Sequence, residues 1–81
     1  MMIETYDGEL IINPIRIYFK QETEHSYQYL VYYNVYVDTP KNSHLIKKYA
    51  TSLEANNLIK RIKKFFSIAN NRVFTQEMIW G

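Results

Sequence analysis

With 81 residues, no cysteine and two glycines, the chain has room for one small hydrophobic core but not for a disulfide framework, a cysteine-ligated zinc site or a glycine-rich phosphate loop. No apolar run approaches the roughly 18 residues of a membrane span, and Glu4 and Asp7 stand where a secretory leader needs base, so the expectation is a cytoplasmic protein with no membrane contact. The net charge of +2 hides a division: residues 1 to 38 carry six acids against Arg16 and Lys20, while residues 39 to 81 carry eight bases against Glu54 and Glu77, which offers partners an acidic and a basic surface.

In chain order, Asp7-Gly8 between Met2–Tyr6 and Glu9–Ile12 predicts a hairpin closed by a two-residue type I′ turn, whose central positions both need positive φ. The second strand is read on through Asn13-Pro14 to Lys20, with the proline imposing an edge position, a bulge or a break. In that reading Ile11, Ile15, Ile17 and Phe19 share one face. Residues 21–25 form a polar turn into the tyrosine-rich strand 26–37, and residues 38–44 a second turn into strand 45–50.

Thr51-Ser-Leu-Glu54 has capping-box spacing, with the threonine hydroxyl placed to accept from the third helical N–H and Glu54 placed to reach back. Ala55, Leu58, Ile59, Ile62, Phe65, Phe66 and Ala69 then form one apolar stripe, predicting a helix over 52–69 that stops near Asn70-Asn71. Val73–Trp80 fits a further strand or a short helix equally well.

The tyrosine strand carries apolar or aromatic groups on both faces. Tyr27, Tyr29, Val31, Tyr33, Val35 and Val37 line the side read as core, and Gln28, Leu30, Tyr32, Asn34 and Tyr36 line the other. One helix covers one face of a sheet, so the second face meets solvent, the C-terminal segment with Trp80, or a partner. Phenol rings bury a large apolar body yet keep a hydroxyl that tolerates water, which suits a contact surface. Tyr18, Leu30, Tyr32 and Tyr36, with Ile12 from the neighbouring strand, are therefore the candidate protein-interface residues.

A second candidate surface is basic. Lys60, Arg61, Lys63 and Lys64 lie opposite the helix stripe, Lys47 and Lys48 shortly precede it, and Glu54 is the only acid of the helix. A solvated face is the ordinary explanation; salt-dependent binding to nucleic-acid phosphates is the alternative. His25 and His44 sit in turns without a second histidine or a cysteine beside them, so no metal site, cofactor, catalytic residue or small-molecule substrate is inferred.

Three strands followed by a capped helix beginning Thr51-Ser-Leu-Glu-Ala55 resembles, in arrangement, the small DNA-binding modules at the N-termini of some phage-type integrases. The resemblance covers about residues 26–66 and transfers no site residue. Those modules read DNA with a basic sheet, whereas the strand segment here is tyrosine-rich with Glu22, Glu24 and Asp38 beside it. Usage rich in Ile, Lys, Asn and Tyr, with three arginines against seven lysines, points to an AT-rich genome such as those of low-GC bacteria, their plasmids and their phages, and the small size suits the phage or mobile-element fraction of them. The sequence thus predicts a single α+β domain over 1–81: an antiparallel meander of about four strands with one C-terminal amphipathic helix packed on one face. The function expected of it is non-enzymatic, stoichiometric protein binding, by self-association or inhibition of a host protein, with nucleic-acid binding as the alternative.

Overall fold

The computed structural model describes residues 1–25, 29–69 and 71–80, and of Tyr29 the strand position alone. It is an α+β arrangement with the element order β1 (Met2–Glu4), β2 (Leu10–Ile12), β3 (Arg16–His25), β4 (Tyr29–Asp38), β5 (Ser43–Tyr49), α1 (Ser52–Ile68), β6 (Val73–Phe74) and α2 (Gln76–Trp80). The strands form two three-stranded sheets, ordered β2-β1-β6 and β3-β4-β5. The single meander of about four strands therefore resolves into a three-stranded antiparallel meander and a separate small sheet, in which β6 runs parallel to β1.

The divide falls at Asn13-Pro14. Asn13 has φ of 53°, in the left-handed region that asparagine tolerates better than most residues, and its N–H donates to the Met1 carbonyl at 3.1 Å. Proline has no N–H to give a ladder, and the next residue, Ile15, already donates to the Asp38 carbonyl at 2.8 Å at the mouth of the β3–β4 pair. The chain thus leaves one sheet and enters the other within three residues, which leaves Ile15 67% exposed, away from the buried Ile11.

The first hairpin also closes differently from its expectation. Thr5 N–H donates to Glu9 O at 2.9 Å and Gly8 N–H to Thr5 O at 3.0 Å, so the loop is Tyr6-Asp7-Gly8, and of these only Gly8 has positive φ, at 85°. A three-residue loop with glycine in the left-handed position replaces the type I′ turn. The buried Thr5 hydroxyl has one hydrogen to give, shared between the Asp7 carboxylate and the more distant Glu9 O at 3.2 Å, which satisfies it.

The polar segment 21–25 is not a turn but the last half of β3, paired in unbroken register with β4 from Arg16↔Asp38 to His25↔Tyr29. Between β4 and β5 the register slips at Val35/Tyr36, leaving Ile46 as the extra residue of a bulge, turned into the core at 2% exposure. Thr51 caps α1 as expected, accepting from Glu54 N–H at 3.2 Å. The helix ends at Ile68 with Ala69 as its C-cap; the expected stop at Asn70 lies outside the described residues.

One core serves both sheets. Ile3, Ile11, Val35, Val37, Ile46, Ala55, Leu58, Ile59, Ile62, Phe66, Phe74 and Ile79 form a single buried cluster, with Ile17, Tyr33, Tyr49 and Phe65 packed at its margin. The C-terminal segment is both strand and helix. Glu4 accepts from Gln76 N–H at 3.1 Å at the start of α2, and Arg61 of α1 donates to the Met78 carbonyl at 2.6 Å, so this segment is tied to both ends of the fold. No helix among the described residues is long and apolar enough to cross a membrane.

Candidate functional site

Alternation along β3–β4–β5 sorts its side chains to two sides. Val35 and Val37 face the core and α1. Arg16, Tyr18, Lys20, Glu22 and Glu24 of β3, Leu30, Tyr32, Asn34, Tyr36 and Asp38 of β4, and Ser43, Leu45 and Lys48 of β5 share the opposite side, as their register partners require. The core and both helices lie behind this sheet, and the front remains open: Leu30 and Leu45 are each 40% exposed, and Tyr18, Tyr32 and Tyr36 are half-buried.

All four expected interface residues lie on this face, Tyr18 and Tyr36 opposite each other towards one end and Tyr32 and Leu30 towards the other, with Asn34 between. Tyr18 and Tyr36, directly opposite in register, stack with ring centroids 5.7 Å apart. Ile12 does not join them: it belongs to β2 of the other sheet. The tail does not cover them either, because Trp80 packs over Lys47 Nζ, 2.9 Å from the ring centroid, and Lys47 stands opposite the core-facing Val35. Of the residues read as core, Val35 and Val37 are buried and Tyr33 packs at the margin, but Val31 is 42% exposed. The β4–β5 register ends at Tyr33↔Tyr49, so the first residues of β4 continue as a two-stranded ribbon with β3. The expected core role of Tyr27 lies outside the described residues, as does the side chain of Tyr29.

The polar groups of the face are wired to one another. Glu22 accepts from the Tyr36 hydroxyl and from Asn34 Nδ2, the latter at 3.1 Å. Asp38 accepts from Ser43 Oγ at 2.7 Å and from the Tyr18 hydroxyl at 3.0 Å, and Lys48 pairs with Glu24. These bonds hold the Glu22 carboxyl below its ordinary range, chiefly through Tyr36, and the Asp38 carboxyl likewise, chiefly through Ser43. Cations lie over the rings: Arg16 is 4.1 Å from the Tyr18 centroid and Lys48 5.2 Å from that of Tyr32. Three bases on this face (Arg16, Lys20, Lys48) meet three acids (Glu22, Glu24, Asp38), so the acidic half of the sequence does not make an acidic surface here.

Asn34 sits at the centre of this face, in register between Lys20 and Lys48 and 5% exposed, and its Oδ1 has no hydrogen-bond partner among the described residues. Alternation places Asn34 on this face, but an asparagine inside a tyrosine-rich strand carries no motif that marks it as a site residue. Its signal is positional: a polar side chain is poorly suited to a central strand unless neighbours satisfy it.

The expected basic residues divide between places. Lys48 is on the open face, Lys47 on the helix side against Trp80, and Arg61 is bonded to Met78 O. Lys60, Lys63 and Lys64 are exposed on α1, and Lys48 pairs with Glu24. A shallow cleft of about 400 Å³ places Arg16 and Lys63 beside Ile15, Ile17 and Phe66. Among the described residues no three His, Cys, Asp or Glu side chains converge as metal ligands would. Comparison with family models, with curated proteins and with solved structures finds no match to this chain.

Proposed function

We propose that this chain is a non-enzymatic binding protein that presents the open face of β3–β4–β5 to a protein partner. The observation that supports the reading most is the state of that face. It carries stacked tyrosines and half-exposed leucines on one side of the sheet, with its acids and bases equal in number, so that a partner covers aromatic and apolar area without stranding a net charge. Aromatic anchors on a pre-organised scaffold lose little side-chain entropy on association. The codon-biased composition fits a phage or mobile-element product, for which occupying a site on a host protein is a natural mode of action.

The test uses Leu30→Glu and Tyr32→Ser, which spare the Glu22–Tyr36 and Asp38–Tyr18 bonds. With a partner captured on the native protein, each variant should weaken its binding by about tenfold or more while the circular-dichroism spectrum is kept; undiminished binding by both would refute this reading. A second reading rests on Lys60, Lys63 and Lys64, which lack acidic neighbours on α1. It expects salt-dependent binding to single- or double-stranded nucleic acid that K60Q/K63Q/K64Q abolishes and L30E leaves intact.

A further inference from the structure

We propose that β3 is a dimerisation edge, along which two copies of this chain pair antiparallel to form a continuous six-stranded sheet. The strand is ten residues long, lies at the edge of its sheet, and runs in unbroken register with β4. It has none of the interruptions that commonly blunt an edge, having no proline, no glycine and no bulge. Its charges are instead sorted by sign, with Arg16 and Lys20 in the first half and Glu22 and Glu24 in the second. That order is mismatched for parallel stacking of identical strands and complementary for antiparallel pairing. With the two-fold axis at Gln21, Lys20 of each copy faces Glu22 of the other twice over on the open face, and Phe19, 36% exposed, faces Thr23 on the other side. A ribbon of two strands is marginal in water, and the β3–β4 ribbon beyond Tyr33 exposes Leu30 on one side and Val31 on the other; pairing at β3 doubles its strand count.

This goes beyond the binding reading, because edge pairing uses the main chain of β3 and leaves the tyrosine side chains available. The experiment is light scattering after size exclusion on the full chain over a range of concentrations, with K20E, E22K and their equimolar mixture. K20E sets carboxylates against carboxylates across the axis and E22K ammonium groups against ammonium groups, so each should weaken the homodimer by about tenfold or more. Mixing them makes all the cross-axis pairs complementary and should restore a dimer, a result that loss of fold in either variant could not produce. In the native dimer, amide exchange along β3 should slow as concentration rises. A monomer at every concentration would overturn the edge pairing while leaving the face reading to its own test. A dimer indifferent to both reversals, or one lost only in L30E, would overturn it in favour of another interface.

Discussion

Tyr36 donates its phenolic hydrogen to the carboxylate of Glu22, reaching past Asn34, whose Nδ2 donates to the same oxygen. The bond joins β4 to β3 across the open face and shifts both partners in opposite directions. Glu22 is held below its ordinary value of 4.5, with Tyr36 the largest cause, and Tyr36 is pushed above its ordinary 10.0, with Glu22 the largest cause.

The sign of each shift fixes a pH window. A depressed carboxyl stabilises the fold above its unfolded value and loses that contribution as pH falls through the folded one; a raised phenol stabilises below its unfolded value and loses it as pH rises through the folded one. The pair therefore contributes fully between about pH 5 and 9 and fails at both extremes. Tyr36→Phe should lower the urea midpoint at neutral pH and make the difference from the native chain shrink as the solution is acidified below 4.5. An acid limb that runs parallel in both proteins would show that Glu22 takes its stabilisation from Asn34 alone.

Position along β4 decides what a valine is worth. Val35 is fully buried under α1, whereas Val31 shares its parity and is 42% exposed on the ribbon. Val35→Ala should cost about 2 kcal/mol through lost transfer energy and a residual cavity, and Val31→Ala no more than about 0.5 kcal/mol. Chemical denaturation of the two variants separates these cases. Equal losses would mean that the ribbon is covered in solution, as a partner copy or another protein would cover it.

That contrast also marks how far the sequence could be read. The helix, its Thr51 cap and its buried stripe were legible because a 3.6-residue period over many residues and a capping residue agree with each other. The faces of β4 were legible from alternation, and so was the placing of Tyr18, Tyr32 and Tyr36 on one side of the sheet. The extent of cover was not, since period 2 says which side a valine faces but not where the helix above it ends. Residues 21–25 read as a turn on composition, yet pairing with β4 overrode the low strand propensity of Glu and Gln. The parallel partnership of β1 with β6 joins residues some seventy apart through one two-residue strand, and no local pattern encodes so distant a contact. Lys47 and Lys48 are neighbours in sequence and stand on opposite sides of the sheet.

Gly8 carries the first hairpin. Its φ of 85° lies in the region where a side chain is strained, while a Cβ placed there would meet nothing within 4 Å. Substitution is thus resisted by the backbone and not by packing. Gly8→Ala should cost about 1 kcal/mol, which lowers the melting temperature of a domain this size by roughly 4–8 °C. Gly8→Asn should cost less, because asparagine enters the left-handed region more readily. Calorimetry of the pair checks the order; an alanine variant as stable as the native chain would show that the loop adopts a different turn.

Trp80 is the only tryptophan of the chain, and the ammonium of Lys47 lies over its ring. Burial pushes Lys47 below its ordinary value of 10.5, while the negative face of the indole attracts the cation and opposes that displacement. Because the folded value is the lower one, the folded state binds fewer protons here than the unfolded chain, and the cost of burying the charge is relieved as pH rises through the folded value. Trp80 emission should therefore change with the deprotonation of Lys47 at a midpoint below 10.5, and Lys47→Met should remove that step. Tyr49 is shifted the other way, held above its ordinary 10.0 by burial, and supplies the internal contrast. A step that persists unchanged in the methionine variant would assign it to a tyrosinate and detach Lys47 from the indole ring.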